Sequence, residues 1–105
     1  MTDQPCTKIL KALADATRWS IVGELLREPL AMGEVAARLD VSAYNLSKHI
    51  RVLREAGIVA TSRKGKNVMC AIAPALRRRF RAGEPVLDLG CCIFRFDQPV
   101  KLEKL

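Results

Sequence analysis

Apolar residues recur at helical steps up to residue 57, and at closer spacing beyond it. Cys6, Ile9, Leu10 and Leu13 fall at i, i+3, i+4 and i+7. They predict a first helix from Pro5, a residue suited to a first helical position, to about Leu13. Asp15 can cap a second helix that buries Trp19, Val22, Leu25 and Leu26 and stops before Pro29. Gly33 to Leu39 reads as a short third helix with Val35, Ala36 and Leu39 inward. Asp40-Val41-Ser42 is then a three-residue turn into a fourth helix, from about Ala43 to Ala56. There Leu46, Ile50 and Leu53 make one stripe, Ser42 is the N-cap, and Gly57 stands where a left-handed residue ends a helix.

After Gly57 the pattern becomes strand-like over Ile58 to Arg63 and again over Asn67 to Ile72, around Lys64-Gly65-Lys66. That is a hairpin with a basic tip. A last helix is expected over Ala75 to Arg81, cut short by Gly83 and Pro85, and an extended run follows from Val86 to Phe96. The expected fold is mainly α with a small β-hairpin. Two helices joined by a tight turn, followed by a hairpin, make a winged helix-turn-helix.

A chain of 105 residues makes one small domain with a limited core, which dimerisation commonly supplements. No run of 18 apolar residues exists to span a membrane, and Met1 to Lys8 lacks the hydrophobic segment of a signal peptide. The expected location is the cytoplasm, where Cys6, Cys70, Cys91 and Cys92 would be thiols rather than a disulfide framework. The net charge of +7 is unevenly spread. Residues 41–83 hold ten Lys/Arg against one acid, Glu55, while the segments on either side are slightly acidic. Such concentration costs self-repulsion, and a polyanionic partner is the natural reason for it.

The outer face of the fourth helix carries Tyr44, Ser47, Lys48 and Arg51, all hydrogen-bond donors. Base edges and phosphates of double-stranded DNA accept such bonds in the major groove. Arg63, Lys64 and Lys66 at the hairpin tip would bind phosphates alongside. The plainer alternatives are a solvated basic helix and a solvated tip. Arg77-Arg78-Arg79 is likewise either a solvated helix face or a further phosphate contact.

Leu13 to Arg18, the Val41-Ser42 turn, Ser47 to Ile50 and Val52 to Val59 together resemble the arsenic-repressor (ArsR) family of dimeric winged-helix regulators, over residues 7 to 73. The resemblance implies a homodimer that represses an operator and lets go when an effector binds, with residues 1–82 as its winged helix-turn-helix DNA-binding domain and residues 83–105 as a cysteine-containing effector and dimerisation segment. Ser42, Ala43, Tyr44, Ser47 and Lys48 match the family's groove-facing positions; Ala43 departs from the Gln often found there, which bears on base reading at that point. His49 matches a position that packs inward, a structural histidine rather than a metal ligand. One metal site of the family uses a Cys-x-Cys pair on the third helix, where this chain has Gly33 to Arg38 without cysteine. Its zinc sensors use an acid- and His-rich last helix, which this chain, with a single His, also lacks.

Cys91 and Cys92 offer instead two adjacent thiols, a donor set for soft ions. Consecutive residues of a strand point to opposite faces, so sharing one ion needs a bend, which Gly90 makes cheap. Trivalent arsenic takes three ligands. The first helix of the family packs near the C-terminal segment, which makes Cys6, of the same or the partner chain, the expected third ligand of Cys91 and Cys92; a methylated arsenic species would need only two. No cofactor is expected for DNA binding itself. Free cysteines are also often plain small hydrophobes, the expected role of Cys70. Two rivals stand beside this reading: a repressor sensing oxidants or persulfide through the same thiols, and a protein-interaction module or antirepressor without DNA binding. An enzyme is not expected. Val86 to Gly90 looks like the first motif of methyltransferases, but only fifteen residues follow Gly90, too few for a cofactor fold.

Overall fold

In the computed structural model, which describes residues 5–81 and 84–96, the chain opens with helices α1 (Pro5–Leu13) and α2 (Ala16–Arg27). Ile9, Ala12 and Leu13 of α1 are buried, whereas Leu10 stays 45% exposed. The expected stripe is corrected there: at about 100° per residue, Leu10 stands off the edge of the face those three share. Asp15 caps α2 as expected, its carboxylate accepting the Arg18 N–H at 3.0 Å. Ile21, Val22 and Leu25 form the buried side, with Trp19 and Leu26 packed half-buried against it. Each fully buried aliphatic side chain contributes about 1.5–3 kcal/mol.

Pro29 ends α2, and Leu30–Ala31 then forms a two-residue strand, β1, that the sequence pattern does not announce. Helix α3 (Met32–Leu39) starts one residue earlier than expected and ends on Asp40, in the left-handed conformation at φ 54°. The Val41 N–H donates to the Ala36 carbonyl at 3.1 Å, which reverses the chain. Arg38 braces α3 against α2 through Glu24 at 3.0 Å and Glu28, the α2 C-cap, at 3.6 Å, and pairs with Glu34 one turn back on its own helix at 3.0 Å.

Helix α4 (Ala43–Glu55) has the expected cap, Ser42 Oγ accepting the Asn45 N–H at 3.1 Å, and the expected buried stripe of Leu46, Ile50 and Leu53. It stops one residue before the predicted end, and Gly57 at φ 81° turns the chain into β2 (Val59–Lys64). β2 pairs antiparallel with β3 (Asn67–Ile72), from Val59 opposite Ile72 to Lys64 opposite Asn67. Gly65, at φ 63°, opens the two-residue turn between them. β1 adds to the other side of β3, so the wing is a three-stranded sheet of order β1-β3-β2.

Helix α5 (Pro74–Arg77) is four residues long, a correction to the helix expected over Ala75 to Arg81. Tertiary pairing takes the chain out of the helix. The Arg79 carbonyl accepts the Asp88 N–H at 3.0 Å, Arg81 donates to the Val86 carbonyl at 3.1 Å, and Phe80 bridges Leu87. β4 (Val86–Asp88) and β5 (Ile93–Arg95) form a small antiparallel hairpin where one extended run was expected. Gly90, at φ 86°, supplies the anticipated bend and donates to Asp88 Oδ1 at 2.9 Å. This hairpin joins the core through buried Val86 and Leu87 and through an aromatic cluster: Trp19 stacks on Phe96 at 4.3 Å between centroids and meets the edge of Phe94 at 5.8 Å. The division expected between residues 82 and 83 falls outside the described residues. No helix among the described residues is long and apolar enough to cross a membrane.

Candidate nucleic-acid interface and thiol centre

Burying Leu46, Ile50 and Leu53 turns the opposite face of α4 outward, and Ser42, Ala43, Tyr44, Ser47, Lys48 and Arg51 are all exposed there. Tyr44 is 69% exposed, and the Lys48 ammonium lies 4.6 Å from the centre of its ring. That cation–π contact steers a flexible lysine over the helix face. The i,i+4 approach of Arg51 to Glu55, 3.8 Å with both side chains solvated, constrains Arg51 little. Between α4 and the wing runs a cleft in which Tyr44, Ser47, Lys48 and Arg51 are joined by Arg54 and by Thr61 of β2, and none of its lining residues is acidic. Arg54 and Thr61 were missed from the sequence. The step of seven from Ser47 to Arg54 was the available signal; nothing in the pattern points to Thr61. Arg63, Lys64 and Lys66 are exposed at the far end of the β2–β3 hairpin and lie outside this cleft.

His49 faces inward, as its position suggested, and sits in a polar junction of α1, α2 and α4. Its Nδ1 lies 3.2 Å from an Arg18 guanidinium nitrogen and 3.9 Å from the Asp15 carboxylate. A guanidinium can only donate, so Nδ1 accepts and a neutral His49 carries its proton on Nε2. Arg18 Nε also donates to the Ala12 carbonyl at the end of α1. The Arg18 backbone N–H holds the Asp15 carboxyl below its ordinary range, against a burial penalty and with help from the Arg18 charge.

The second site is built from sulfur. Cys6 lies on α1, and Cys91 and Cys92 lie in the β4–β5 turn. The structure joins Cys6 and Cys91 in a disulfide, with Cα atoms 6.5 Å apart across 85 residues of sequence. The expectation of four thiols is corrected: α1 and the turn converge closely enough for two of the sulfurs to bond. Cys92 remains free, its Sγ 3.7 Å from that of Cys91, and all three sulfurs fall within 4.8 Å of one another. Cys91 is exposed, and Cys6 and Cys92 are half-buried. The structure thus brings together the three cysteines singled out from the sequence. Cys70 stands apart in β3, buried, its thiol pushed up by desolvation, as a packing residue does.

Residues 13–62 match a family model described as a helix-turn-helix domain. The biofilm growth-associated repressor of Agrobacterium fabrum is 38% identical over 65 residues, 62% of this chain and 56% of the relative. The chain spans 56 to 60% of the length of the first curated relatives it matches. Among solved structures, HlyU from Vibrio cholerae N16961, solved also in a form called reduced, superimposes with a TM-score of 0.66 at 31% identity, covering 70% of this chain and 82% of that one. An ArsR family transcriptional regulator superimposes with a TM-score of 0.63 at 33% identity, covering 69% of this chain and 79% of the other. These relatives are regulators of transcription, not enzymes.

Proposed function

The chain belongs to the ArsR family of winged helix-turn-helix regulators, and from that premise we propose that it is a homodimeric, DNA-binding transcriptional repressor whose operator is released by a thiophilic effector, trivalent arsenic in inorganic or methylated form. In this reading α4 enters the major groove with Tyr44, Ser47, Lys48 and Arg51 toward base edges and phosphates. Arg54 flanks them, and Arg63, Lys64 and Lys66 track the backbone. A two-fold operator requires the two α4 helices to sit about 34–36 Å apart. Dimerisation through α1 and the C-terminal segment places the thiols where that spacing is set.

The observation that carries the reading is the convergence of Cys6, Cys91 and Cys92 within 4.8 Å. The donor set fits a soft centre. Thiolates about 2.3 Å from one shared ion, as around zinc, stand roughly 3.8 Å apart, and the Cys91 and Cys92 sulfurs are 3.7 Å apart. The Cys6–Cys91 bond must first be reduced. The three thiols then exchange their protons for arsenic as three waters leave, with no change in arsenic oxidation state. Tying α1 to the turn shifts the dimer away from its DNA-bound geometry. Taking operator occupancy from 99:1 to 1:99 requires a differential affinity of about 5.5 kcal/mol.

A second reading is favoured by the disulfide itself: oxidation of Cys6 and Cys91 would couple the same two elements without arsenic. One experiment separates the two. Reduced protein is bound to DNA from upstream of its own gene and titrated with arsenite under reducing conditions, then separately with a mild oxidant. Arsenic sensing predicts release by arsenite, lost when Cys91→Ser and Cys92→Ser are combined. Release by oxidant alone selects the second reading. Absence of salt-sensitive DNA binding, or binding indifferent to Lys48→Ala, would refute both.

A further inference from the structure

Beside the sulfurs lies a cavity of about 360 Å³, lined by Cys6, Ile9, Leu76, Arg79, Leu89 and Cys91. Ile9 and Leu76 are buried, so its floor is apolar. Gly57 and Ala75 complete the wall with almost no side chain, which leaves the space open. Arg79 is exposed at its edge, and its backbone is fixed by the bond from Asp88. An inorganic ion held by three sulfurs has no use for this room. A monosubstituted arsenical does: two of its three bonds exchange, and the third, to carbon, stays.

Resting on the thiol reading above, we infer that this cavity seats the organic substituent of a trivalent aryl arsenical bound through Cys6 and Cys91. Both of those sulfurs line the cavity, whereas Cys92 does not. A centre bridging them turns its remaining bond inward. Two As–O bonds break and two As–S bonds form, the thiol protons leave with two waters, and arsenic stays trivalent. A cavity of about 150 Å³ already accepts benzene when its walls are aliphatic, so 360 Å³ takes a phenyl ring with room to spare. The Arg79 guanidinium is of the kind that stacks on aromatic faces. Cys92 is then required for inorganic arsenic, which needs three sulfurs, and dispensable for the aryl compound.

The test titrates the reduced full chain with arsenous, methylarsonous and phenylarsonous acids, in competition with a small dithiol, and locates each adduct by mass. Wild type is expected to hold the phenyl compound at least tenfold more tightly than the methyl one. Ala75→Leu, which fills the cavity from an exposed position on α5, should abolish that preference and leave arsenous acid unchanged. Cys92→Ser should weaken arsenous acid at least tenfold and phenylarsonous acid less than threefold. Should Ala75→Leu fail to fold, judged by circular dichroism, the Cys92→Ser arm decides. Equal affinity for the two organic acids, or a phenyl adduct mapped to Cys91 and Cys92, overturns the inference even where arsenous acid binds. A phenyl adduct on Cys6 and Cys91 without arsenous acid binding upholds it and instead removes the three-thiol reading.

Discussion

The α4–wing surface and the thiol centre are assembled in opposite ways. The first is local: from Ser42 to Asn67, twenty-six consecutive positions supply a capped helix, a glycine stop and a hairpin, and the exposed cations follow from which face is buried. The second is non-local: Cys6 meets Cys91 across 85 residues, held together by a short hairpin leaning on Trp19. A surface drawn from one continuous stretch has its cap, stop and turn written into neighbouring residues, although its buried side still packs on the common core. A site spanning two distant elements is suited to change when its bonds change, because its geometry is the distance between them.

If that contrast is right, the halves should respond separately to substitution. The largest effect is expected at the wing tip. Replacing Lys64 and Lys66 by alanine removes four phosphate contacts from a dimer, lowering the slope of log affinity against log salt by about 3.6 and operator affinity on the order of a hundredfold at physiological salt. Anisotropy across a salt series checks it, and arsenite affinity should not move. The reverse test is Phe96→Ala. It removes the ring stacked on Trp19, with an expected stability loss of about 1–2 kcal/mol in urea unfolding. Effector affinity should fall, while the salt dependence of operator binding stays intact. Loss of both functions in either variant would erase the distinction.

The smallest effect sharpens the join between the halves. Asp15 has its pKa lowered on folding, so its contribution is complete above the unfolded value near 3.8 and is lost as pH falls through the folded one. Asp15→Ala should therefore cost about 1 kcal/mol at pH 7, the worth of a helix N-cap. The gap between variant and wild type should close below about pH 4, as denaturant midpoints across pH will register.

The same division sets how much was legible in the sequence. Where one face of a regular element is buried, period and caps suffice: α4, its Ser42 cap, the Asp40 turn and the β3 boundaries came from spacing alone. β1 did not, since two residues carry no period. The helix expected to reach Arg81 failed because Arg79 and Arg81 pair with β4, a tertiary bond that outweighs local propensity. Leu10 was placed by a stripe one position too wide. The meeting of Cys6 with Cys91 was suggested by family resemblance rather than by any spacing. Its oxidation was not foreseen, because compartment arguments address the average cysteine and not two sulfurs already in contact. No pattern links Trp19 to Phe96, the stack that secures the turn.

Everything turns on one coupling, between the sulfurs and the grip of α4 on DNA. Linkage requires that if arsenic weakens operator binding by some factor, operator weakens arsenic binding by the same factor. The direct measurement is the arsenite dissociation constant of the reduced dimer, taken with and without saturating operator. Arsenite should bind the operator complex at least tenfold more weakly than the free dimer, approaching about 10⁴-fold for a complete switch, and by the same factor as arsenite lowers DNA affinity. An arsenite constant indifferent to operator would contradict it.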